Sequence, residues 1–149
     1  MSYQVQAADG LTVLGLSTRA SNANPAGIGD LWRRFHSLGS QKIVTARLGE
    51  TVYGIYCEYE SDADGAYTVV IGCAVPPETE VSEEMKKAGM KKIDIAAGNF
   101  AVYRVEGELP QAVFNTWASI WQTPFDRRYQ ADFDRYGEDG SVTVHVGVR

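Results

Sequence analysis

The chain has 149 residues, 44% of them hydrophobic, which is enough for one compact domain with a sizeable core or two fused half-domains. A formal charge of −5 and a pI near 5.0 argue against nucleic acid or an anionic membrane as partner, because both select a basic surface. No run approaches the roughly 20 apolar residues of a membrane helix. The apolar run Leu11 to Leu16 has no basic segment before it and no cleavage-like site after it, so a cytoplasmic protein without a secretory signal is expected.

In chain order, Leu11 to Ala20 reads as a strand of β-branched and apolar residues, broken by Asn22-Ala23-Asn24-Pro25. Ile28, Leu31, Trp32, Phe35 and Leu38 then recur at helical spacing, with Arg33, Arg34 and Ser37 on the other face and Gly39 placed to stop the helix. Thr51 to Glu60 is expected as a second strand, Ser61 to Gly65 as a turn, and Ala66 to Val75 as a third strand ended by Pro76-Pro77. Residues 78–90 run from acidic to basic, with Ser82 a candidate cap for a short helix. Lys91 to Ala96 and Phe100 to Glu106 read as further strands. Pro110 suits the first turn of a second main helix, whose apolar stripe is Val113, Phe114, Trp117, Ile120 and Trp121 and which Pro124 ends. Ala131 to Tyr136 and Val142 to Val148 form a final hairpin around Glu138-Asp139-Gly140.

Two stretches repeat one another: Asp64-Gly65-Ala66-Tyr67-Thr68-Val69-Val70-Ile71-Gly72 and Asp139-Gly140-Ser141-Val142-Thr143-Val144-His145-Val146-Gly147. In both, a turn signal feeds an alternating strand, and Trp32 and Trp117 hold comparable places in the two helices. Each half therefore spells strand, helix, strand, hairpin turn, strand. The expected fold is α+β: duplicated β-α-β-β modules forming one curved antiparallel sheet, with two main helices on one face and a ligand cleft between the halves. Residues 1–149 form a single domain on this reading, with pseudo-repeats over 8–77 and 90–149.

The segments Val13-Leu14-Gly15-Leu16-Ser17-Thr18-Arg19, Leu31-Trp32-Arg33-Arg34-Phe35, Tyr53-Gly54-Ile55-Tyr56, Gly98-Asn99-Phe100-Ala101-Val102-Tyr103-Arg104 and Trp117-Ala118-Ser119-Ile120-Trp121 occur in this order along the chain. Together they resemble the GyrI-like effector-binding family, which includes the drug-sensing domains of AraC-type and MerR-type regulators and free-standing gyrase-inhibitory proteins. The stretch Ala131-Asp132-Phe133-Asp134-Arg135-Tyr136-Gly137 resembles the family's Asp-Phe-Glu-x-Tyr element, with Asp134 one methylene shorter than the usual Glu. Short members carried in mobile gene cassettes are the most similar type. The resemblance implies a ligand cavity between two β-α-β-β modules.

A site for organic cations needs a desolvated negative charge ringed by aromatic faces, and three Trp, eight Tyr and five Phe supply the rings. Asp134 is the first candidate acid. By strand alternation it shares a face with Asp132 and Tyr136, opposite Phe133, which is expected in the helix-covered core, leaving Asp134 and Tyr136 on the uncovered concave face. Glu58, within Tyr56-Cys57-Glu58-Tyr59, is a second candidate acid, although a rim charge near a hairpin end reads equally well. Tyr56, Tyr103, Trp121 and Trp117 are candidate walls, with Trp117 also fitting a core position.

His36 and His145 lack partners at metal-ligand spacing, so neither a metal nor a cofactor is expected. Cys57 and Cys73 are too few for a disulfide framework and read as buried reduced thiols, though consecutive strands could bring them together. The leading expectation is a binding protein for cationic, amphipathic drug-like molecules, with no room in the chain for its own DNA-binding region. A regulator or gyrase is a possible protein partner. Two alternatives are a small-molecule hydrolase using Asp134 and Tyr136, and a gyrase-inhibitor-like interaction protein.

Overall fold

The computed structural model describes residues 3–21, 26–37, 46–61, 65–109 and 111–149. The expected break at 22–25, the stop at Gly39, the centre of the turn at 62–64 and the opening Pro110 lie outside the described residues. In chain order the elements are β1 (Gln4–Ala8), β2 (Leu11–Ala20), α1 (Ala26–Ser37), β3 (Val52–Cys57), β4 (Tyr67–Ala74), α2 (Glu83–Lys87), β5 (Met90–Ile95), β6 (Gly98–Val105), α3 (Gln111–Trp121), β7 (Ala131–Tyr136) and β8 (Val142–Val148).

Eight strands form one antiparallel sheet in the order β1-β6-β8-β7-β3-β4-β2-β5. The first module contributes β3, β4 and β2, the second β7, β8 and β6, and the seam between them is the β3–β7 pair. Each outer strand is exchanged. β1 precedes β2 in the chain yet pairs with β6, while β5 precedes β6 yet pairs with β2. This exchange ties the two modules together through backbone hydrogen bonds at both ends of the sheet.

The alternation of each strand sorts its side chains between two faces. On one face, Leu14, Leu16, Val69, Ile71 and Cys73 bury against Leu31 and Phe35 of α1. On the same face of the other module, Ala101, Tyr103, Val142, Val144 and Val146 bury against Val113, Trp117 and Ile120 of α3. The opposite face holds a third cluster, Val13, Ile55, Cys57, Val70, Ile93, Ile95, Phe100, Ala131 and Phe133, to which neither main helix contributes. Ile93 and Ile95 come from the strand at one end of the sheet and Phe100 from near the other end, so the sheet curls until this face packs on itself. Both faces are therefore buried.

Close approach fixes the register of the first module. Gly15 and Gly72 are direct partners in the β2–β4 ladder, and a Cβ on Gly15 would collide with the Ile71 carbonyl. Ser82 caps α2 as expected, accepting from the Met85 amide at 3.1 Å. The sequence gives no expectation of β1, a short, mostly exposed Gln-Val-Gln-Ala-Ala strand held by pairing rather than by an apolar face. Cys57 and Cys73 are free and buried in different clusters, on opposite faces of the sheet, so their strands do not bring the thiols together.

Candidate functional site

The two main helices lie on either side of the β3–β7 seam and leave a cavity of about 520 Å³ between them. From α1, Ile28, Gly29 and Trp32 form one wall; from α3, Val113, Phe114, Trp117 and Trp121 form the other. These sets follow helical spacing, so each helix presents one edge of its apolar stripe to the gap. Tyr56, Asp134 and Tyr136 from the seam strands form the floor, and Tyr59, Tyr67 and Arg127 also line the cavity.

Asp134 is 1% exposed. Its Oδ1 accepts from the Trp117 indole N–H at 2.8 Å and its Oδ2 from the Tyr56 hydroxyl at 2.8 Å; Tyr136 adds a third side-chain hydrogen bond. Burial pushes the carboxyl up to about 6, opposed by these three donors. Burial also raises the hydroxyls of Tyr56 and Tyr136, helped by the adjacent carboxylate, so both remain neutral donors at ordinary pH. Among the described residues Asp134 has no ion-pair partner.

Asp132, two residues earlier on the same face, differs. It is 0% exposed and pairs with Arg127 at 2.7 Å, and it accepts also from the Gly147 amide at 2.7 Å and from the Tyr59 hydroxyl. The Arg127 guanidinium in turn lies 4.4 Å over the Tyr129 ring. This charge is met inside the protein.

The expected site residues divide. Asp134, Tyr56, Tyr136, Trp117 and Trp121 come together around the cavity, Trp121 at its mouth with 44% exposure. Glu58 and Tyr103 do not. Glu58 follows the end of β3 at a φ of 50°, which breaks the alternation that would have aimed it with Tyr56. Its side chain, 45% exposed, instead takes Lys91 at 2.6 Å and Thr68 at 2.7 Å, and these hydrogen bonds lower its pKa. Tyr103 is buried beneath α3, its ring meeting Tyr3 at 5.3 Å and Phe125 at 6.3 Å.

The face assignment also needs correction. Asp134 and Tyr136 lie on the face that carries the helices, and Phe133 lies in the helix-free cluster on the other side. Alternation tells which residues share a face; it does not tell which face a helix covers. Tyr59, Tyr67, Trp32 and Arg127 complete the site without having been expected there. Trp32 carried a usable signal in its correspondence with Trp117, whereas the others reach the cavity through cross-strand register and loop paths that leave no local pattern. Among the described residues no group of His, Cys, Asp and Glu is arranged to hold a metal ion, and no helix is long and apolar enough to cross a membrane.

Comparison with known proteins agrees with this architecture. The integron cassette protein from the mobile metagenome of Vibrio cholerae superposes with a TM-score of 0.78 at 27% identity, over 99% of this chain and 96% of that one. The structure of SAV2435 bound to tetraphenylphosphonium shares the fold, with a TM-score of 0.72 at 20% identity over 100% of this chain and 94% of that one. YobU of Bacillus subtilis (strain 168), described as a candidate transcriptional regulator, is 28% identical over 148 residues, 90% of this chain and 86% of its own length. The family model of the integron-associated effector binding protein, Cass2, matches residues 4–147, and the chain belongs to that family.

Proposed function

We propose that this chain is a cytoplasmic receptor for aromatic or amphipathic organic cations, acting as one effector-binding domain built from two pseudo-repeats. The observation that carries the reading is Asp134: a buried carboxylate with neutral donors only, on the floor of an aromatic-walled cavity. Burying an unpaired charge is costly, and a ligand cation returns that cost by supplying the missing partner. Trp32, Trp117, Tyr56 and Tyr136 line the cavity with aromatic rings, and a cation over a ring face gains roughly 0.5–2 kcal/mol, the upper end when desolvated. A cavity of about 520 Å³ suits a drug-sized molecule. The tetraphenylphosphonium held by the structurally similar SAV2435 is a cation of this chemical class.

Titration of intrinsic tryptophan fluorescence with tetraphenylphosphonium tests the proposal, because Trp32, Trp117 and Trp121 all line the cavity. Saturable quenching is expected for the native chain. Asp134→Asn should weaken binding on the order of 100-fold, the size of one charge pair at moderate effective dielectric. Equal affinity in the variant would refute the role given to Asp134.

One observation favours hydrolysis as a second reading: a carboxyl near 6 beside Tyr136 has the pKa of a general acid or base. Binding is preferred because three hydrogen-bond donors engage the carboxylate oxygens, an arrangement suited to holding charge. Product formation from electrophilic esters, lost in Asp134→Asn, would reverse that preference.

A further inference from the structure

The cavity straddles the seam between two modules that repeat one another, so its walls can be matched position by position. Trp117 lies four residues after Val113 and three after Phe114; Trp32 lies four after Ile28 and three after Gly29. The ring contacts keep the same relation. Trp117 meets Tyr56 edge-on at 5.2 Å, and Trp32 meets Tyr136 edge-on at 5.1 Å. Both tyrosines bond Asp134. Gly54, the ladder partner of Asp134 across the seam, lies against Trp32 as Asp134 lies against Trp117. Two of these matched positions differ in kind: Asp134 against Gly54, and Phe114 against Gly29.

The second difference concerns the shape of the ligand. Phe114 stands 57% exposed at the mouth, its ring 6.2 Å from that of Trp121. Across the gap, a Cβ placed on Gly29 meets nothing within 4 Å, so packing does not require glycine there. Glycine inside a helix is also disfavoured relative to alanine. Neither helix formation nor close approach accounts for Gly29, which, unlike Gly27 of the same helix, lines the cavity.

We propose that Gly29 is a specificity-determining position, whose missing side chain opens a ring-sized gap in the α1 wall opposite Phe114. The gap selects cations that carry aromatic groups in several directions over slim single-ring cations. This inference rests on the cation-binding reading above and adds the shape of cation preferred.

The test compares tetraphenylphosphonium with benzyltrimethylammonium on the native chain and on Gly29→Ala, Gly29→Leu and Gly29→Phe, by calorimetry and thermal unfolding. The native chain should prefer the four-ringed cation. Gly29→Phe, which installs the counterpart of Phe114, should weaken tetraphenylphosphonium at least about tenfold while changing benzyltrimethylammonium by less than about threefold. Gly29→Leu should give an intermediate loss, which keeps the test valid if the phenylalanine variant misfolds. Gly29→Ala should raise Tm by about 2–4 °C through helix propensity. Unchanged tetraphenylphosphonium affinity in Gly29→Phe and Gly29→Leu, or equal loss of both cations in folded variants, would overturn the inference and leave the receptor reading intact. No saturable binding of either cation to the native chain would overturn both.

Discussion

Asp132 and Asp134 stand two residues apart on β7, point to the same face and are almost completely buried, yet their surroundings treat them differently. Asp132 has a guanidinium, a backbone amide and a phenol, so its charge is neutralised where it sits. Asp134 has an indole and two phenols, which solvate a negative charge without cancelling it. The first carboxylate is a structural element that closes the β7–β8 end of the module. The second is held at a cost, and that cost is what an incoming cation can relieve.

The largest expected effect removes the distinction from the Asp132 side. Arg127→Met leaves Asp132 buried and uncompensated and should cost about 3–5 kcal/mol in urea unfolding. A loss below about 1 kcal/mol would mean that the pair does not hold the charge as described. Asp134→Asn should act in the opposite sense. Asparagine can turn its oxygen to the Trp117 N–H and its amide to the Tyr56 oxygen, and it removes an unpaired charge, so stability at pH 8 should rise by up to about 3 kcal/mol. Improved stability together with weakened cation binding would mark Asp134 as a functional acid.

Proton linkage sharpens the same contrast. Asp134 titrates near 6 in the fold against an ordinary value of 3.8. Its protonation therefore stabilises the folded state fully below about pH 4, and that contribution is lost as pH rises through about 6. On the proposed reading cation affinity runs the other way, because the cation pairs with the carboxylate. Calorimetry should find tetraphenylphosphonium about tenfold weaker at pH 5 than at pH 7.5. A flat profile would separate the charge from the binding. The smallest effect is expected from Tyr56→Phe, which takes one donor from Asp134, moves the midpoint of that pH profile upward and weakens binding at pH 7 several-fold, about 1 kcal/mol. An unmoved midpoint would show that the phenol does not tune the acid.

Much of the fold was legible because its cues are local. The stripes Ile28–Leu31–Trp32–Phe35 and Val113–Trp117–Ile120 mark the two helices, and the β-branched runs after Gly65 and Gly140 mark β4 and β8. The exchange of β1 and β5 left no such trace, since it depends on which distant edge each strand meets. Within the site, Asp134 and Tyr136 were legible from period-two alternation, but the side of the sheet was not. Phe133 looks like a helix-covered core residue because both faces of this sheet are buried, one by helices and one by its own curl. Glu58 shows the limit of the same rule: one residue beyond the strand, a positive φ turns it towards Lys91. Tyr59 reaches the cavity from the loop after β3, where it donates to Asp132, and no local sequence pattern marks that path.

If the cavity is a cation receptor, a bound cation sees the Asp134 charge directly. Carboxylate 13C chemical shifts, followed against pH with and without saturating tetraphenylphosphonium, measure this at the atom concerned. The midpoint is expected near 6 in the free protein and should fall by at least about one unit when the cation is bound. A midpoint unchanged by saturation with the cation would contradict it.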